Sequence, residues 1–198
     1  RSGLASGDFL YAAYGASTES WPAIVSCQDL GECVRSLEPN LALVVQLRNT
    51  AFADVLRMVM AWARALQGRS AAPLALSHTE GEGFDEAAYA QTYRDNPFFS
   101  MFHAIARLHI GYLQDDQPQA LAAVRAVRRS AHQLSGMIWS VLFDFWGSLT
   151  LAANIEHAAD AAERSDWLVL MGTAQASLAL LARSCAHNFR CHSLLLDA

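Results

Sequence analysis

Residues 98–134 carry two runs of apolar side chains at helical spacing, parted by the polar turn Gln114-Asp115-Asp116-Gln117-Pro118. On the first run Phe98, Phe102, Ile105, Leu108 and Tyr112 recur at steps of three and four. On the second, Ala120, Val124, Val127, Ala131 and Leu134 do the same. Each run predicts a helix with one apolar stripe. A lone hairpin cannot bury both stripes, so further hairpins must stack on it. The pattern therefore predicts an all-α chain, an αα-superhelix of stacked antiparallel helix pairs.

The rest of the chain fits that scheme. Asp8 is placed to cap a first helix through Phe9, Leu10, Ala13 and Tyr14, with Trp21-Pro22 bending or restarting it. A second helix is expected over 29–47, kinked or broken at Pro39. A third carries Phe52, Val55, Leu56, Val59, Trp62 and Leu66, and Gly68 stands where a helix-ending glycine belongs. Residues 69–83 read as a loop and a candidate break between two helical halves. Asp85 opens a short helix ending before Asn96-Pro97. Beyond the central pair, Ser135-Gly136 precedes a helix with Ile138, Leu142, Phe145, Leu149 and Ala152. A polar stretch follows at 154–166. A last long helix then carries Leu170, Ala174, Leu178, Leu181 and Cys185. The count is about eight helices, and no sustained period-two alternation predicts a strand.

Composition narrows the chemistry. Apolar residues make up 53% and charged residues 17% of the 198, ample material for a core. All fourteen basic residues are arginine. Without lysine there is no phosphate-binding Gly-Lys-Ser/Thr loop, no Schiff base and no kinase-type strand lysine. The net charge of −5 argues against a general nucleic-acid footprint. The longest apolar runs look too short to cross a bilayer, and no start resembles a signal peptide. Four scattered cysteines fit a reducing cytoplasm. The opening Arg1-Ser2-Gly3 suggests a fragment of a larger protein, so 1–198 is read as one helical-repeat domain of it.

Asp116-Gln117-Pro118-Gln119-Ala120-Leu121, with Val124 and Val127 after it, resembles the turn into the second helix of tetratricopeptide repeats. A wider likeness rests on Gly7-Asp8-Phe9-Leu10-Tyr11-Ala12-Ala13-Tyr14, Gly83-Phe84-Asp85-Glu86-Ala87-Ala88-Tyr89 and Cys185-Ala186-His187-Asn188-Phe189-Arg190-Cys191-His192. In that order they are similar to the helical region of very large bacterial signalling proteins. Those proteins join a serine/threonine-kinase-like module, an AAA-type ATPase, this helical region, a GAF domain and a histidine kinase or other output domain. The resemblance implies a tetratricopeptide-like array between a nucleotide-driven switch and an output, and carries over no catalytic residue.

No constellation predicts catalysis, a cofactor or a metal site. Cys185, His187, Cys191 and His192 have zinc-compatible atoms, yet Cys185 and His192 stand two turns apart on one expected helix. Cys27 and Cys33 read as packing residues. No glutamate has a histidine three residues later, so a di-iron bundle lacks its ligands. His103 and His109 lie six apart and face different ways. Trp62, Trp139, Phe143, Phe145 and Trp146 read as mostly core, and an exposed tryptophan at 145–146 would mark an interface.

The candidate partner-binding residues are His103, Arg107 and Gln114, which lie off the stripe of the first central helix, and Arg125, Arg128 and Arg129, which with His132 line the second. A solvated face gives the same pattern as a docking face. The expected function is a non-catalytic interaction and signal-coupling scaffold whose partners are neighbouring domains or another signalling protein. The alternative is a small-molecule sensor enclosing an apolar pocket, with His103 or a tryptophan orienting the ligand.

Overall fold

The computed structural model describes residues 7–26, 29–70, 72, 75–77, 83–134 and 136–198. Among them the fold is all-α, as the stripes predict. The helices are α1 (Phe9–Ser20), α2 (Ala23–Ser26), α3 (Leu30–Gln46), α4 (Thr50–Leu66), α5 (Glu86–Tyr93), α6 (Pro97–Leu113), α7 (Gln117–Arg128), α8 (Ile138–Ala153), α9 (Ala161–Ser184) and α10 (Ala186–Asp197). Short 3₁₀ turns follow α7 at Ala131–Leu134 and α8 at Ile155–His157.

Seven of these helices begin on one device, α6 by way of Asn96, which accepts the Phe99 N–H at 3.3 Å. In the other six, Asp8, Asp29, Asn49, Asp85, Asp116 and Asp160 each accept, through the side chain, the backbone N–H three residues on. Each bond satisfies a donor that the first helical turn leaves without a partner. At the other end, Gly68 adopts a φ of 74°, the left-handed conformation that closes α4.

Several boundaries differ from expectation. Pro39 neither breaks nor splits α3, which runs through it. The second central helix stops at Arg128, where Ser130 bonds back to Val127 and the chain tightens into the 3₁₀ turn that still buries Leu134. The polar 154–166 stretch contains the second 3₁₀ turn and the first turn of α9. The last long helix is two helices. Cys185, at φ −146° and ψ 77°, interrupts it, and a new helix starts at Ala186. Ser184 and Cys185 are both poor helix formers, and the apolar spacing alone does not register the interruption.

The chain divides into two compact units, Arg1–His103 and Ala104–Ala198. The division falls within α6, not at the 69–83 loop, of which 71, 73–74 and 78–82 lie outside the described residues, as do Cys27 and Ser135.

In the first unit α3 and α4 pair, and α1 packs on both. Leu37, Val55, Leu56, Met58, Val59 and Trp62 are fully buried. Asn40 on α3 donates to Ser20 Oγ on α1 at 2.7 Å, and that hydroxyl donates on to Ala16 O at 2.6 Å. Trp21 gathers Tyr14, Phe52, Phe98 and Phe102 around it, with ring centres 5.2–6.5 Å away. Such tilted contacts suit the aromatic quadrupole.

The second unit shows the predicted stacking. Leu108 from α6, Ala120, Ala123 and Val124 from α7, Leu151 from α8 and Trp167 from α9 form one buried cluster. Two consecutive hairpins thus share a core, which is how neighbouring repeats stabilise each other. α10 then packs along α9 and touches α8. Close approach of α6 to α7 depends on Gly111, where a Cβ would stand 3.1 Å from the backbone nitrogen of Ala120.

Candidate interaction site

Of the six predicted site residues, His103 belongs to the first unit and Arg107, Gln114, Arg125, Arg128 and Arg129 to the second. His103 turns into the first unit, where its Nε2 lies 2.7 Å from Glu86 Oε1. Glu86 also accepts from the Leu76 N–H at 3.0 Å, and its own N–H donates to Ser77 Oγ at 3.0 Å. The carboxylate thus ties the 75–77 segment to the start of α5. The His103 ring packs on Tyr89, whose hydroxyl donates to Phe99 O at 3.1 Å. Beside it the Tyr93 hydroxyl donates to Asp54 Oδ2 at 2.8 Å, and Arg57 donates to Asp54 Oδ1 at 3.1 Å. Burial raises both phenols well above their ordinary values, and Asp54 adds to this, so they stay neutral donors. His103 is therefore part of an internal lock and not a groove-lining side chain.

Arg107 is half-buried, with its carbonyl accepting from Gln119 Nε2 at 3.3 Å, and Gln114 is exposed at the α6–α7 turn. The arginines of α7 have found acidic partners within the chain. Arg125 donates to Glu163 Oε1 at 3.0 Å and Arg128 to Asp166 Oδ2 at 3.3 Å, both on the first turns of α9. Glu163 also accepts the Ala159 N–H at 2.8 Å. That backbone bond, then Arg125, holds its carboxyl below the usual range. Arg129 is exposed and makes no ion pair among the described residues. These pairs span thirty-eight positions, a separation no local pattern announces.

The cysteine–histidine group is dispersed. Cys185 sits at the α9–α10 junction, His187 and Cys191 are exposed, and His192 meets the edge of Phe145 at 4.6 Å. No three metal-compatible side chains converge among the described residues. Cys185 and Cys191 are free thiols. Of the adjacent aromatics, Phe145 is buried and Trp146 stacks on His109, so neither is a bare interface tryptophan.

Apolar surface lies elsewhere. On α9, Val169, Thr173, Ala176 and Leu180 recur at steps of four, three and four, and all four are exposed. This second stripe runs beside the buried one that includes Trp167, Ala174 and Leu178. α9 is also the one helix among the described residues long and apolar enough, by length and composition, to cross a bilayer. α10 adds exposed Leu194 and Leu195. In the first unit α1 exposes Phe9, Leu10, Tyr11 and Tyr14, the last three lining a groove with Phe52.

One polar feature escaped the sequence reading. Asp144 is the single charged residue of α8. It borders a cavity of about 180 Å³ between α8, α9 and the first 3₁₀ turn. Burial raises its carboxyl, opposed by a hydrogen bond from Ser177. Neither this cavity nor the α1 groove is lined by His103 or by a tryptophan. The signal was legible in principle: an isolated carboxylate in an apolar helix asks for a partner. No family model, curated protein or solved structure matches the chain.

Proposed function

We propose that the chain is a non-catalytic scaffold for protein interaction and signal coupling, within a bacterial multidomain protein that carries ATPase and kinase modules. The observation behind this reading is the second, bare stripe of α9. A helix apolar on both sides is ordinarily covered on both. Val169 and Leu180 stay 66% and 63% exposed although α8 and α10 already pack on the same helix. Contiguous bare apolar surface marks a place where another chain or domain docks.

Stacked hairpins suit this role physically. Each hairpin is held mainly by its neighbours, so a docked helix adds a layer, and its removal exposes the layer beneath. Coupling between an upstream switch and a downstream output then follows from docking and release at that layer. Among the α7 arginines, Arg129 is the one positioned to meet a partner, because Arg125 and Arg128 are committed to α9.

The test is a pull-down of the chain against the segments that flank it in its parent protein. Val169→Glu/Ala176→Glu/Leu180→Glu abolishes capture while the far-UV circular dichroism stays native. Capture unchanged by that triple substitution defeats the reading.

A further inference from the structure

We propose that the cavity between α8 and α9 is a binding site for a primary alkylammonium group, with Asp144 as its counter-charge. The inference goes beyond the scaffold reading and does not depend on it.

The first ground is the carboxylate. Asp144 lies in the middle of α8, half-buried, and its one polar partner among the described side chains is Ser177 of α9. No arginine lies within ion-pair distance of it among the described residues. A carboxylate taken out of water without a cation is destabilising, and groups perturbed in this way cluster at ligand sites.

The second ground is the hydrogen-bonding character of the walls. Ser140 donates its hydroxyl proton to Met137 O at 2.8 Å. Thr173 donates its own to Val169 O at 2.8 Å. Two hydroxyls on the cavity wall beside the carboxylate are thus turned into acceptors. With the Asp144 carboxylate beside them, these two acceptors suit a ligand head that donates and carries positive charge. A primary ammonium has three donors, no acceptor and a positive charge. An anion or a carbonyl meets lone pairs facing lone pairs, and an alcohol offers one donor and no charge.

The third ground is shape. Phe143 and Leu170 give the cavity apolar sides, and its volume is about 180 Å³. Counting about 30 Å³ per water, that is room for roughly six water-sized groups, hence an aliphatic tail of about four to six atoms. The same chemistry occurs in a free aliphatic amine and in the side chain of a lysine on another protein. This chain has no lysine of its own to fill the site.

The experiment uses the full 198-residue chain with isotope-labelled leucine methyl groups. n-Butylammonium chloride, n-butanol and the capped peptide acetyl-Gly-Lys-Gly-amide are titrated separately. The expected result is saturable shifts of the Leu170, Leu134 and Leu151 methyls with n-butylammonium, and binding about tenfold weaker for n-butanol. Asp144→Asn brings n-butylammonium down to the level of n-butanol. Ala174→Leu, which fills the cavity and keeps the carboxylate, removes binding of both and covers the case in which Asp144→Asn does not fold. Tighter binding of the peptide identifies a partner's lysine as the source, and tighter binding of the amine a free metabolite. Either supports the site. Equal binding of n-butanol and n-butylammonium, n-butylammonium binding unchanged by Asp144→Asn, or absence of methyl shifts with both cations overturns the proposal.

Discussion

The imidazole of His109 on α6 lies face to face with the indole of Trp146 on α8, ring centres 4.2 Å apart and planes 23° from parallel. Tyr112 closes on the same indole at 5.4 Å. The contact joins the first helix of one hairpin to the first helix of the next, the seam on which stacking depends. It places a titratable ring largely out of water, and burial lowers the His109 pKa to about 4. The imidazole therefore stacks as a neutral aromatic at neutral pH.

That placement makes stability pH-dependent. The free side chain titrates near 6.5 and the folded one near 4. Between those values the unfolded chain binds a proton that the folded chain refuses. Stability is full above about pH 6.5 and falls as pH drops towards 4, by roughly 3 kcal/mol in all. Urea unfolding at pH 7.5, 6, 5 and 4 measures it. His109→Gln flattens that slope. Asp144, whose carboxyl is shifted upward, acts with the opposite sign but is common to both proteins, so the difference between them isolates His109. Equal slopes in the two proteins would show that the ring does not titrate as stated.

The ion pairs from α7 to α9 differ in exposure. Asp166 is open to solvent, whereas Glu163 is partly covered and also holds the Ala159 N–H. Arg128→Ala is expected to leave the melting temperature nearly unchanged, as exposed pairs contribute little. Arg125→Glu sets a carboxylate against Glu163 and Asp160 and lowers the melting temperature visibly at low salt. The loss shrinks at about 0.5 M NaCl, where screening acts within a few ångströms. Thermal melts at two salt concentrations decide it, and a salt-independent loss points to packing instead.

How legible was this in the sequence? The hairpin around Asp116 was, because its stripes and its turn agree at every level: capping aspartate, proline in the first turn of α7, small residues at the close approach. Asp8, Asp85 and Gly68 were also readable from local chemistry alone. The break at Cys185 was not, since apolar spacing runs smoothly across a one-residue excursion of the backbone. The second stripe of α9 was hidden by the first: Val169, Thr173, Ala176 and Leu180 include small and neutral residues that a search for one amphipathic face passes over. The arginine face looked free because its partners, Glu163 and Asp166, come from a distant helix. His103 looked like a groove residue for the same reason, its partner Glu86 being seventeen positions away.

The turn into α7 offers a test of what its aspartate does. Asp116 accepts the Gln119 N–H at 3.0 Å. Asp116→Ala leaves that donor without a partner and is expected to cost about 1 kcal/mol. Asp116→Asn keeps an acceptor in place and costs a few tenths at most. Denaturant midpoints of the three proteins separate capping from charge: equal losses for Ala and Asn would mean that the negative charge at the helix start, not the hydrogen bond, is what counts.

Two glycines in helices make opposite predictions. Gly111 faces α7, and a Cβ there would approach Ala120 N at 3.1 Å and Gln119 Nε2 at 3.1 Å. The glutamine can swing aside, but the Ala120 backbone moves only if α7 moves with it. Gly172 on α9 has nothing within 4 Å of its imaginary Cβ. A residue with a side chain is favoured over glycine in a helix by up to about 1 kcal/mol. At Gly172 nothing opposes that gain, so Gly172→Ala is expected to stabilise the chain by about 0.5–1 kcal/mol. At Gly111 the bulk of valine meets backbone, and Gly111→Val is expected to destabilise by about 2 kcal/mol, the range typical of overpacking. Paired chemical denaturation curves measure both. If Gly111→Val is as well tolerated as Gly172→Ala, then α6 and α7 are not held at the separation described, and the shared core of the two hairpins loses its geometric basis.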